Sequence, residues 1–162
     1  MYAAVVLNED SKTALENVVL ECMGCCSLES GLEILGDHMT ISVRKNYIRS
    51  VSGEHRGCTL EGIEHDLFAT HIAWNERVIT ARVDTYIMTV DNDHPHVTLA
   101  VNREAGAKPK ESNEFTWADY KPLYQVWDSM CGYCVPPKGL CVKLTGTFQI
   151  VKPSESKELR EI

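Results

Sequence analysis

His38-Met39-Thr40-Ile41 and His96-Val97-Thr98-Leu99 are one phrase written twice, 58 positions apart: histidine, apolar residue, threonine, apolar residue. Each opens an apolar run, MTISV and VTLAV, which predicts strands at about 38–43 and 96–102. Successive side chains of a strand point to opposite faces. Each histidine therefore shares a face with the threonine two places on, while the apolar neighbours enter the core behind. Two such strands side by side would present two imidazoles and two hydroxyls to one groove. That set suits acid–base cleavage of a phosphodiester. Imidazole both takes and gives a proton near neutrality, and hydroxyls hold non-bridging phosphate oxygens. His38, Thr40, His96 and Thr98 are the candidate catalytic residues.

On the N-terminal side, YAAVVL (2–7) reads as a buried strand closed by Asn8-Glu9-Asp10. Ser11 then reads as the N-cap of a helix with Leu15, Val18, Val19 and Cys22 at helical spacing. Gly24 and Gly31 interrupt the stretch from Met23 to Gly36, which predicts a helix end and a loop. Between the two phrases, Arg44 to Gly57 is polar and predicts a surface loop. LFATHIAW (67–74), the turn Asn75-Glu76-Arg77 and VITARV (78–83) predict a hairpin whose return extends through 86–90. Asp91-Asn92-Asp93-His94-Pro95 is a turn that delivers the second phrase.

Beyond it, Gly106 and Pro109 exclude a regular helix through REAGAKPKESNEF (103–115). Trp117 to Trp127 reads as a short helix or an aromatic-anchored loop, and CGYCVPPKG (131–139) as a turn-rich connection. LCVKLTGTFQIV (140–151) alternates as a last strand. The order predicts a single α+β domain over 1–152 with mostly antiparallel sheets. Its two similar lobes would meet at a central groove, and 153–162 forms a charged tail.

A formal net charge of −7 excludes binding of long duplex nucleic acid by general electrostatic attraction and favours a small anion held in a local pocket. No run approaches the ~20 apolar residues of a membrane helix. The start MYAAVVLNED lacks the basic residues of a secretory signal, so the expectation is a soluble cytoplasmic protein without membrane partners. Among seven cysteines, Cys22-x-x-Cys25 and Cys131-x-x-Cys134 are candidate halves of a zinc site, leaving Cys26, Cys58 and Cys141. Cys25 and Cys131 stand 106 positions apart, far from the compact spacing of a zinc ribbon, and reduced thiols are the simpler reading.

A pair of His-x-Thr-x phrases in a chain of this size resembles the two-histidine (2H) phosphoesterase superfamily. A further local match is Gly106-Ala107-Lys108-Pro109-Lys110-Glu111-Ser112-Asn113. It resembles the G-x-K-P-x-x-S-N stretch of the tRNA ligase branch and of phage relatives, among them the anti-CBASS nucleases that destroy cyclic oligonucleotide signals. The resemblance implies that His38 and His96 are the acid–base pair and that Thr40 and Thr98 hold phosphate oxygens. It also implies that no metal or other cofactor takes part.

Two substrates follow from it. The first is a small cyclic di- or trinucleotide messenger, as in viral counter-defence acting in a host cytoplasm. The alternative is the 2′,3′-cyclic phosphate of an RNA end under repair. Lys108 and Asn113 are candidate substrate contacts through charge and amide, and Tyr2 and Trp74 through stacking on a base. His94 reads as an exposed loop residue and His71 as a solvent-facing or satisfied core residue, while His55 and His65 carry no argument. Trp117 and Trp127 read as core or lid anchors. A reading of another class is a non-catalytic nucleotide-binding or zinc-holding module.

Overall fold

The computed structural model describes residues 2–27, 32–51, 61–85, 90–91, 94–123 and 141–152. Its elements run β1 (Tyr2–Leu7), α1 (Glu9–Ser27), β2 (Leu32–Ile34), β3 (His38–Ser42), α2 (Lys45–Val51), β4 (Glu64–Trp74), β5 (Val78–Asp84) and β6 (His96–Asn102). Two 3-10 turns (Pro109–Glu114 and Trp117–Asp119), β7 (Lys121–Pro122) and β8 (Val142–Val151) complete them. All the strand pairings are antiparallel. The order β3-β1-β8-β4-β5-β6 returns from β6 to β3, so six strands close into a barrel, with β2 beside β6 and β7 beside β4. Closure removes the open edges that a sheet must otherwise protect. The mostly antiparallel α+β class stands as expected. The pairings run unbroken around the ring and do not divide it into two lobes.

Alternation along these strands sorts the chain into two faces. Register links Phe148 to Val5, Val5 to Met39, Met39 to Val97, Val97 to Ala81 and Ala81 to Ile72. Every member of that row is fully buried, and α1 adds Leu15, Val18 and Val19 to the same core. Burying a side chain of this size is worth roughly 1.5–3 kcal/mol, so the row fixes which way each strand faces.

Several local expectations change. Asn8, not Ser11, caps α1: its Oδ1 accepts the Ser11 N–H at 2.9 Å. Asn is as good a cap as Ser, and the Ser11 hydroxyl is used elsewhere. It donates to the Thr145 carbonyl at 3.2 Å and accepts the Thr145 N–H at 2.7 Å, tying the helix to β8. The helix runs through Gly24 to Ser27 instead of ending near Met23. Two segments read as loops hold short elements, β2 and α2. With three and seven residues, neither is long enough to show a period. Ile48 of α2 is buried in the core.

The hairpin of β4 and β5 forms as expected, its turn held by the Asn75 Oδ1, which accepts the N–H groups of Arg77 and Val78 at 2.8 and 2.9 Å. Of the 117–127 segment, the described residues form the Trp117–Asp119 turn and β7 rather than one helix. The extension at 86–89, residues 124–127, the 131–139 connection and the 153–162 tail lie outside the described residues.

Gly146 in β8 is a point of close approach. A Cβ there would sit 2.6 Å from Val5 Cγ1 and 2.7 Å from the Val6 carbonyl oxygen. The second contact is backbone and cannot swing aside. Gly146→Ala is expected to destabilise the fold by about 1–3 kcal/mol, the usual cost of overpacking, and denaturant unfolding measures it. An unchanged midpoint would show that β1 and β8 are not packed this closely.

Candidate active site

The Met39–Val97 pairing decides the site. In an antiparallel pair it sets His38 opposite Thr98 and Thr40 opposite His96, with all four side chains on the face away from the buried row. Diagonal neighbours in such a ladder stand about 7–8 Å apart, which brings the two histidines within reach of one small anion. The next strands extend the same face. Thr80 of β5 pairs with Thr98, Arg82 with His96, and His71 of β4 with Arg82. A row Thr40–His96–Arg82–His71 therefore lies beside a row His38–Thr98–Thr80.

His96 is fixed in one tautomer. Its Nδ1 lies 2.9 Å from the His94 carbonyl, which only accepts, so Nδ1 carries the hydrogen and the neutral ring keeps its lone pair on Nε2. Burial lowers the His96 pKa, and charge on His94 lowers it further, against the opposing pull of that hydrogen bond. His94 itself is buried, not exposed as its turn context predicts. Its Nδ1 pairs with the Tyr120 hydroxyl at 3.1 Å, and its ring centroid lies 5.2 Å from that of His96. The sequence shows the turn but not that Tyr120 would close over it.

His38 packs against Tyr2, ring centroids 5.6 Å apart. Its Nδ1 is enclosed and has no hydrogen-bond partner among the described residues. Burial first, and charge on His96 second, lower its pKa to about 4. The two imidazoles are thus neighbours, each resisting the charged form.

The threonines differ. Thr98 Oγ1 lies 2.8 Å from Ser112 Oγ and 3.3 Å from the Pro109 carbonyl, and Ser112 Oγ lies 2.6 Å from Thr80 Oγ1. Thr40 makes no such bonds among the described residues. The 106–113 segment thereby packs directly on the second phrase. Its other anchor is Glu111, which pairs with Arg77 of the hairpin turn and accepts the Lys108 N–H at 2.6 Å. Gly106 begins the segment at φ +74°, a conformation that disfavours any side chain.

Of the expected substrate contacts, Tyr2 is brought to His38. Lys108 and Asn113 lie exposed beside Pro109 and Ser112. Trp74 is not brought to this face: it pairs with Ile79 at the hairpin end and shares the side of Ile72. The tryptophan that does reach this face is Trp117. Half-exposed, it lies over the Arg82 guanidinium 3.7 Å from the ring centroid. Arg82 also faces Asp84 at 3.7 Å, and its Nε is enclosed without a partner among the described residues. Residue-type pattern alone did not single out Arg82 or Thr80, and it presents Ser112 only as the serine of the 106–113 match, with no role assigned. The spacing Thr80-x-Arg82, in phase with the return of the hairpin, is the signal that was available.

The family described as fungal tRNA ligase phosphodiesterase domain matches residues 38–122, just over half of the chain. The chain belongs to this family. The match opens on His38, takes in both phrases and the 106–113 segment, and closes on the β7 residue paired with His71. Comparison with curated proteins gave no match. Among the described residues, no three His, Cys, Asp or Glu side chains gather at metal-ligand spacing, and no helix is long and apolar enough to cross a membrane. Cys141 is an exposed free thiol, and the side chains of the other cysteines lie outside the described residues.

Above pH 6.5 the His38 imidazole is neutral whether folded or not. Between 6.5 and about 4, the unfolded chain takes up a proton that the folded one refuses, so stability falls as pH drops through that window. The loss from this one group is at most about 3 kcal/mol. Denaturant unfolding across pH 7 to 4 is expected to show a shallower decline for His38→Ala than for the wild type. Parallel declines would place His38 in water.

Proposed function

We propose that this protein is a phosphodiesterase that opens the 2′,3′-cyclic phosphate at an RNA end, using His38 and His96 as its acid–base pair and no metal. The observation that carries the reading is the coincidence of the family match with the β3–β6 register, which sets both matched phrases on one face. Among the two substrates that the sequence suggests, a tRNA ligase phosphodiesterase family favours the RNA end over a cyclic messenger.

His96 suits the base, because its anchored tautomer leaves a lone pair on Nε2 to take a proton from water. The oxygen of that water bonds to phosphorus, one ribose P–O bond breaks, and His38 delivers a proton to the departing oxygen. Thr40 and Thr98 donate to the non-bridging oxygens, and Arg82, paired with His96 across the ladder, faces the charge that builds there. His38 must be protonated to serve as the acid, yet unliganded it titrates at about 4. The phosphate anion supplies the opposite charge that raises it. Trp117, with one face on Arg82, offers the other to the terminal base. Lys108 and Asn113 line the approach, while Tyr2, buried against His38, supports that imidazole from behind.

The deciding experiment is turnover in chelator of an RNA ending in a 2′,3′-cyclic phosphate, beside cyclic di- and trinucleotides. His38→Ala and His96→Ala are expected to lower kcat/KM on the RNA end by about 10²–10⁴-fold, the usual worth of a positioned acid or base. Cleavage confined to cyclic oligonucleotides would overturn the substrate, and turnover only with added metal would overturn the mechanism. Because both imidazoles resist protonation in the free protein, the bell-shaped pH profile of kcat/KM is expected to peak below 6.5. A maximum at or above 7 would count against this pair.

Trp117→Ala is expected to raise KM by about 5- to 150-fold with little change in kcat, matching stacking worth ~1–3 kcal/mol. An unchanged KM would leave Trp117 as packing for Arg82.

A further inference from the structure

The Thr98 hydroxyl has one proton and two oxygens within hydrogen-bond distance. The Pro109 carbonyl can only accept, so at 3.3 Å the Thr98 hydroxyl is its donor. Thr98 Oγ1 is then the acceptor at 2.8 Å from Ser112, and Ser112 Oγ in turn the acceptor at 2.6 Å from Thr80. The four groups form one directed chain, Thr80 to Ser112 to Thr98 to the Pro109 carbonyl. Thr80 and Ser112 are fully buried, where an unmade hydrogen bond is costly, so the direction is held. Its final bond is the long one, at the limit of useful geometry.

We infer that Thr80 and Ser112 are positioning residues that aim the Thr98 proton at the substrate phosphate. Ser112 occupies the Thr98 oxygen from behind, so the hydroxyl has no other direction in which to donate. Its proton rests on the Pro109 carbonyl through a weak bond. A non-bridging phosphate oxygen, being charged, makes the stronger acceptor and draws the proton across. Each donation polarises the next hydroxyl, so the chain strengthens the last bond as negative charge grows on phosphorus. Thr40, across the ladder, has no such chain among the described residues, so the two threonines of the repeated phrase are not equivalent. The inference rests on the proposed reaction and deepens it. It also gives the 106–113 segment a role beyond its exposed Lys108 and Asn113.

The test pairs Ser112→Ala and Thr80→Val with the conservative Thr80→Ser, each alone and combined with Thr98→Val, on the RNA 2′,3′-cyclic phosphate. Ser112→Ala is expected to lower kcat by about 10- to 100-fold with KM changed less. Thr80→Val is expected to lower it by less, with Thr80→Ser restoring it. In the Thr98→Val background neither should cost anything further. Wild-type kcat in both variants, or equal losses with and without Thr98, would overturn the inference. A fall in melting temperature with kcat intact would do the same, by showing packing alone. Affinity for inorganic phosphate, titrated on the same proteins, reads the chain without turnover. Non-additive losses of affinity there support it even if the RNA end is not cleaved, and additive losses overturn it even if cleavage proceeds.

Discussion

One register pair, Met39 with Val97, carries more of this molecule than any other contact. It closes the ring of strands, and it also decides on which side the histidines lie. Strand side chains alternate with period two, so a slip of one residue would turn His38, Thr40, His96 or Thr98 into the core and push Met39 or Val97 toward water. What prevents the slip is the continuous row from Phe148 to Ile72, together with the β5–β6 and β2–β6 ladders that hold the other lengths of β6. The placement of the four His and Thr side chains is thus an indirect product of apolar packing on the opposite face. The site is placed by residues that never touch it.

This explains how much could be read in advance. The repeated phrase, its strand parity and the apolar residues behind it are local properties, and the chain writes them in four-residue units. The hairpin and the closing strand were legible for the same reason. The neighbours of the phrase were not. Thr80 and Arg82 join the site only because β5 pairs with β6, and nothing local says which strand will lie beside the second phrase. His94 and Tyr120 meet across 26 positions, and Thr80 and Ser112 across 32. Such contacts follow from closure of the ring, which is a property of the whole chain.

The exchange of Trp74 for Trp117 has a more specific cause. Read as an unbroken strand, LFATHIAW puts Leu67, Ala69, His71 and Ala73 on one face and Phe68, Thr70, Ile72 and Trp74 on the other. The ladder between β4 and β5 shifts register between Ala69 and His71. That irregularity inserts Thr70 as an extra residue and inverts the parity beyond it. His71 and Ala73 turn to the face that carries the two histidines, and Ile72 and Trp74 turn away from it. The loose alternation of this segment in the sequence is the trace of the bulge. A bulge beside a site re-aims side chains, and here it brings an imidazole next to Arg82 and removes an indole.

The electrostatics close the argument. The chain is acidic overall, yet the site holds two histidines with Arg82 in the next ladder pair. Each imidazole is driven toward neutrality by burial, and charge on His96 opposes protonation of His38. Both favour the neutral form, so on the proposed reading the acid is unarmed before an anion binds. A neutral ligand would leave it so. In the proposed reaction a phosphodiester brings one negative charge between the rings and reverses the balance, because the attraction acts where water is largely excluded. On the proposed reading, the proton that His38 donates is therefore acquired with the substrate, and the site would discriminate for anions by chemistry as well as by binding. For the proposed general acid, burial that looks like a defect is what makes its charge depend on the substrate.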